Sequence, residues 1–171
     1  MSGFTRTMYR VLKRALSIAV LAGGLGAPAL AGGPEAAIEQ KVIALQSAAG
    51  SDAETLVGTA VAAFYRQRSF VPAWADAAHR ERLQAALSEL RSDGLDPGHY
   101  QPEADVDPQA GIAADDEAAR RDVETTRRLL RAMVHLHRGK LDPAQLDPHW
   151  NFPRDRFDPA AAALALEAAL E

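Results

Sequence analysis

Residues 116–140 read "DEAARRDVETTRRLLRAMVHLHRGK", and this stretch settles the class of fold. It has no proline and no glycine before Gly139. Val123, Leu129, Leu130, Met133 and Leu136 recur at three- and four-residue spacings, the period of a helix with one buried face. Asp115, Asp116 and Glu117 lie near its amino end, and Arg138 and Lys140 flank its carboxyl end. That order of charges opposes the helix dipole at both ends. Gly139 can stop the helix by taking a left-handed conformation.

Working outward, the same period recurs on both sides. Ile38, Val42 and Leu45 mark a first helix, which "AAGSDAE" (48–54) interrupts, with Ser51 or Asp52 placed to cap the next. In "AETLVGTAVAAFYRQR" (53–68), Leu56, Ala60, Val61 and Phe64 are expected on one face. The small residues Gly58 and Ala60 would let a neighbouring helix come close, or Gly58 is simply tolerated. "SFVPAW" (69–74) cannot continue that helix, because Pro72 has no N–H and pushes Val71 toward an extended conformation. "DAAHRERLQAALSELRSDG" (76–94) is a further helix, with Leu83, Ala86, Leu87 and Leu90 as its stripe and Gly94 as its stop. A loop rich in Asp, Pro and Gly follows at 101–117. The chain ends in "DPAAAALALEAALE" (158–171), another helix start.

Five of the ten prolines directly follow aspartate, at 96–97, 107–108, 142–143, 147–148 and 158–159. Asp is a favoured helix cap and Pro is pre-set for the first helical turn. These pairs therefore read as entries to helical turns. The expected fold is all-α, about five helices joined by Asp-Pro turns. A hydrophobic share of 47 % with only 6 % aromatics fits packed, alanine-rich helices better than a β-sandwich.

The amino terminus reads as an export signal. Arg6, Arg10, Lys13 and Arg14 precede an uncharged run from Ala15 to Ala31, which ends in the small-x-small pattern of Ala29 and Ala31. Three glycines and a proline break that run, and a stable span needs about 20 apolar residues, so cleavage is expected rather than an uncleaved inner-membrane anchor. No Arg-Arg pair precedes it. The domain reading is 1–31 signal peptide, 32–50 linker and first helix, and 51–171 helical domain.

The whole chain has 19 basic and 23 acidic residues. Without residues 1–31 all the acids remain and the net charge reaches −8, which disfavours nucleic acid as a partner. There is no cysteine, hence no disulfide, no thiolate metal site and no cysteine nucleophile in this chain. His135 and His137 are two apart on a helix and cannot share one metal ion, and His149 sits in a loop. The acids of the 101–117 loop lack EF-hand spacing. No phosphate loop and no "GxSxG" elbow occurs. No catalytic residue, metal or cofactor is expected. Phe64, Tyr65, Phe70, Trp74, Tyr100 and Trp150 are the residues to watch, with packing as their main role; binding is the other reading for Tyr65, Phe70, Trp74, Tyr100 and Trp150, with Phe70 and Trp74 as an aromatic platform for a sugar ring.

Three stretches taken in order resemble a known family. They are "VAAFYRQRSFVPAWADAAHRERLQAALSELRSDGLDPGHYQ" (61–101), "LLRAMVHLHRGKLDPAQLDPHWNFPR" (129–154) and the start of "FDPAAAALALEAALE" (157–171). The set resembles the amino-terminal scaffold region of the large periplasmic L,D-transpeptidases of the YcbB type. The resemblance implies a non-catalytic domain that positions a separate cysteine-bearing catalytic domain, in enzymes that make 3→3 cross-links in peptidoglycan. It implies the periplasm as location, and peptidoglycan or the transpeptidase domains as partners, with the membrane met only through the export signal. The catalytic chemistry maps onto no residue here. Either the chain is the front part of a longer enzyme, in which case Leu164, Leu166 and Leu170 are expected to be partly exposed, or it works alone. A stand-alone helical interaction module and a carboxylate-dependent wall hydrolase are the rivals. The hydrolase needs two acids about 5–9 Å apart in a groove.

Overall fold

A computed structural model describes residues 33–48, 50–102, 112–141, 147, 149 and 156–171. The expected export signal, the Asp142–Pro143 turn and Trp150 lie outside the described residues. The described elements are helices α1 (Pro34–Ser47), α2 (Asp52–Gln67), α3 (Ala77–Glu89), α4 (Ile112–Arg138) and α5 (Pro159–Leu170). Two short 3-10 turns, Leu90–Asp93 and Pro97–His99, follow α3. Among the described residues there is no strand, so the fold is all-α as expected.

Helices α2, α3 and α5 begin at side-chain caps that the sequence offers, whereas α1 starts after Gly33 without one. The Ser51 hydroxyl accepts from the Glu54 N–H, the Asp76 carboxylate from Ala78, and the Asp158 carboxylate from Ala160 and Ala161. Asp96 accepts from the Gly98 N–H, so two Asp-Pro pairs do open helical turns. Gly94 and Gly139 both take a φ of 81° and end their helices. The long helix starts at Ile112, earlier than its acidic run, which leaves Asp115 in the first turn.

The bundle is organised around α2, which packs on α1, α4 and α5, while α1 also packs on α4. Ion pairs cross these seams. Lys41 of α1 meets Asp116 of α4 at 2.7 Å. Glu54 of α2 takes Arg131 and Arg127 of α4 at 2.8 and 3.0 Å, and Arg68 pairs with Glu167 of α5.

Two expectations about the core need correction. On α2 Val57 is fully buried, and Leu56 is only half-buried. The inward arc is Val57, Ala60, Val61 and Phe64, rotated toward α4 because Tyr65 also turns inward. On α5, Leu166 and Leu170 are buried, and of the three leucines only Leu164 is exposed, at 59 %. The last helix closes on α2 within this chain, which is why Leu166 and Leu170 are covered.

Candidate functional site

The most organised group of polar side chains lies where α2 ends. Helix α2 does not stop at a glycine. The Phe70 N–H reaches back to the Tyr65 carbonyl at 2.8 Å and the Ser69 N–H to that of Arg66 at 3.3 Å. These are the two closing bonds of a left-handed C-cap. Ser69 and Phe70 accordingly hold φ values of 51° and 61°. Side chains rarely adopt that region, so both positions are strained.

From there residues 69–76 run as irregular chain to the start of α3. Buried or half-buried backbone outside a helix must find partners elsewhere, and here side chains supply them. Arg68 Nε donates to the Val71 carbonyl at 2.9 Å and its Nη2 to that of Pro72 at 3.2 Å. His79 Nδ1 sits 2.8 Å from the Ala73 carbonyl. Arg80 donates to the carbonyls of Trp74 and Ala75 at 2.8 and 2.7 Å. The N–H groups of Ala73 and Trp74 both donate to the carboxylate of Asp122, at 3.0 and 2.9 Å.

Asp122 and Thr126, one turn apart on α4, form the hub. Asp122 is 7 % exposed and Thr126 is fully buried. Tyr65 Oη donates to Asp122 Oδ1 at 2.6 Å and lies 2.8 Å from Thr126 Oγ1. Trp74 Nε1 donates to the same Thr126 oxygen at 2.8 Å. Because the single Tyr65 proton goes to Asp122, Thr126 supplies the proton in its contact with Tyr65 or shares it with the Asp122 carbonyl. Burial, and then the Asp122 carboxylate, push the Tyr65 hydroxyl well above its ordinary 10, so it stays a donor.

A second cluster ties the 97–100 turn to the end of α4. Tyr100 Oη lies 2.8 Å from His135 Nδ1, and the rings meet edge to face at 5.8 Å. Burial, then Arg131 and Lys140, lower the basicity of His135 below its ordinary 6.5. Lys140 Nζ reaches His99 Nδ1 at 3.0 Å. The exposed His149 meets Asp147 at 3.1 Å. Among the described residues no three of His, Asp and Glu converge as a metal site, and no helix is long and apolar enough to cross a membrane.

Of the aromatic residues to watch, Phe64, Tyr65 and Tyr100 are buried, Trp74 is 7 % exposed, and Phe70 is half-buried against the core. The structure brings Tyr65 and Trp74 together through Asp122 and Thr126, and places Tyr100 apart, on His135. The sequence reading missed Asp122 and Thr126. Their signal was present: with Ala119, Val123, Leu130 and Met133 they complete the apolar stripe of α4, as two polar residues on a buried face. A groove of 440 Å³ adjoins the hub between α1, α3 and α4, lined by Pro34, Ile38, Pro72, Trp74, Leu83 and Ala119 among others.

Fold and site together define an all-helical domain whose polar core fixes an irregular aromatic segment. A family model described as "Scaffold domain" matches residues 59–170, two thirds of the chain, and the chain belongs to that family. The match takes in every residue of the hub. No curated protein and no solved structure matches the chain.

Proposed function

We propose that this chain is the non-catalytic, exported scaffold domain of a peptidoglycan L,D-transpeptidase, acting in cell-wall remodelling by positioning the catalytic domain or by contacting glycan or peptide. The observation that carries this reading is a coincidence of position. The stretches that resemble the transpeptidase scaffold meet at joints of the fold, Tyr100 on His135 and Arg68 on Glu167, while Tyr65 and Trp74 of the first stretch are held from α4 by Asp122 and Thr126. All of these lie inside the segment matched by the scaffold family. Such joints hold the shape of a domain, and shape is what a positioning domain contributes.

The test uses the full chain with a carboxyl-terminal tag, produced from its own start codon in a Gram-negative host. The expected result is a periplasmic product shortened by about 31 residues, the length of the signal pattern, which co-sediments with purified sacculi or binds an isolated transpeptidase catalytic domain. Retention by neither, from a periplasmic product, replaces this reading with a general helical interaction module. A product left in the cytoplasm overturns the exported reading as well.

A further inference from the structure

The segment Ser69–Ala75 belongs to no helix. After Val71, whose N–H bonds the Arg68 carbonyl at 3.0 Å, the bonds that hold its backbone among the described residues come from side chains. Its amino end carries two adjacent left-handed residues with side chains, Ser69 and Phe70, which favour any rearrangement that relaxes them. Its middle forms one wall of the 440 Å³ groove through Pro72, Trp74 and Ala75. Its anchor residue, Arg68, also grips Glu167 of α5 and lies over the Phe64 ring at 5.1 Å. The segment therefore lines the groove on one side and is tied to the last helix through Arg68 on the other.

We propose that Ser69–Ala75 is a strap, latched closed by Asp122 and Thr126, whose release reshapes the groove between α1, α3 and α4 while the helices stay folded. Asp122 is the latch because two consecutive N–H groups, those of Ala73 and Trp74, end on its carboxylate. Thr126 holds the Trp74 indole from the same helix face. Both latch residues sit on α4, so closing the strap costs no change in that helix. The device stands independently of the cell-wall reading.

Hydrogen exchange followed by NMR tests it on the full chain. In the unmodified protein, the Ala73 and Trp74 amides are expected to exchange by a local opening. Their rate should depend little on low urea, and should be at least about tenfold faster than that of buried amides of α2 and α4. Exchange of all these amides together, with one steep urea dependence, overturns the proposal without any variant being needed. Two substitutions then give direction. Asp122→Asn should speed exchange at Ala73 and Trp74 and cleavage by trypsin after Arg68, with helical circular dichroism retained. Ser69→Gly relieves the left-handed strain and should slow exchange at the same two amides about threefold. Unchanged exchange in Asp122→Asn, or faster exchange in Ser69→Gly, also counts against the strap.

Discussion

Thr126 shows how much one hydroxyl can organise. It accepts from the Trp74 indole, contacts the Tyr65 hydroxyl and backs onto its own helix, all without exposure. Thr126→Val keeps the shape and removes the oxygen. It leaves a buried indole N–H unpaired, which costs about 1–3 kcal/mol. Urea denaturation should show a lower midpoint at unchanged slope, and Thr126→Ser should recover most of the loss. A Val variant as stable as the parent would falsify the hub. His135 makes a different demand. Its folded-state basicity lies below 6.5, so at mildly acid pH the unfolded chain binds the proton more readily. Its contribution is complete above 6.5 and is lost as the pH falls from there through the lowered folded value. Glu54 acts lower. Burial raises its pKa, but Arg131 and Arg127 outweigh that and hold it below the ordinary 4.5, so its contribution declines only from about there downward. Thermal melts should therefore show a first drop in stability just below pH 6.5, which His135→Gln flattens and Glu54→Gln leaves in place.

At the scale of elements, helix ends were legible because caps are local chemistry. Ser51, Asp96, Asp158, Gly94 and Gly139 act through atoms within a few residues of themselves. The end of α2 was legible only as a break at Pro72. That Ser69 takes a left-handed place usual for glycine depends on what holds residues 71–75, and the partner of the Ala73 and Trp74 N–H groups, Asp122, lies 49 and 48 residues away on α4. For the same reason the sequence can place Asp122 on the apolar stripe of α4 but cannot name Ala73 and Trp74 as the groups it serves. Two glycines separate backbone need from packing need. Gly94 has the left-handed φ and open space where a Cβ would stand, so Gly94→Ala should cost about 1–2 kcal/mol from backbone strain alone. Gly58 sits in the interior of α2, where a Cβ would rest 3.9 Å from the Leu45 carbonyl of α1, an ordinary contact. The approach of α1 does not require glycine there. Gly58→Ala should stabilise by about 0.5–1 kcal/mol. Equilibrium denaturation reads both, and a destabilised Gly58→Ala would mean that α1 cannot give way.

Over the whole molecule, the question is whether the last helix belongs to this domain's own core. Its composition suggested otherwise, because "PAAAALALEAAL" has one charge and no polar face, the pattern of a helix covered on every side. Position resolves it. Ala162, Ala163, Leu166 and Leu170 turn onto α2, Glu167 is held by Arg68, and the outward side is mostly alanine, which costs little to leave in water. The periodicity was weak because alanine fills both faces, so sequence alone could not say which leucines point in. The structure makes a sharp contrast between neighbours. Leu166→Ala empties a site that is 2 % exposed and should cost about 2–5 kcal/mol. Leu164→Ala trims a side chain that is 59 % exposed and should stay within about 0.5 kcal/mol. The loss in Leu166→Ala should appear in one cooperative transition with α2 and α4, seen alike by circular dichroism and by tryptophan fluorescence. Separate transitions, with α5 melting first, would show a helix resting on the domain rather than completing it.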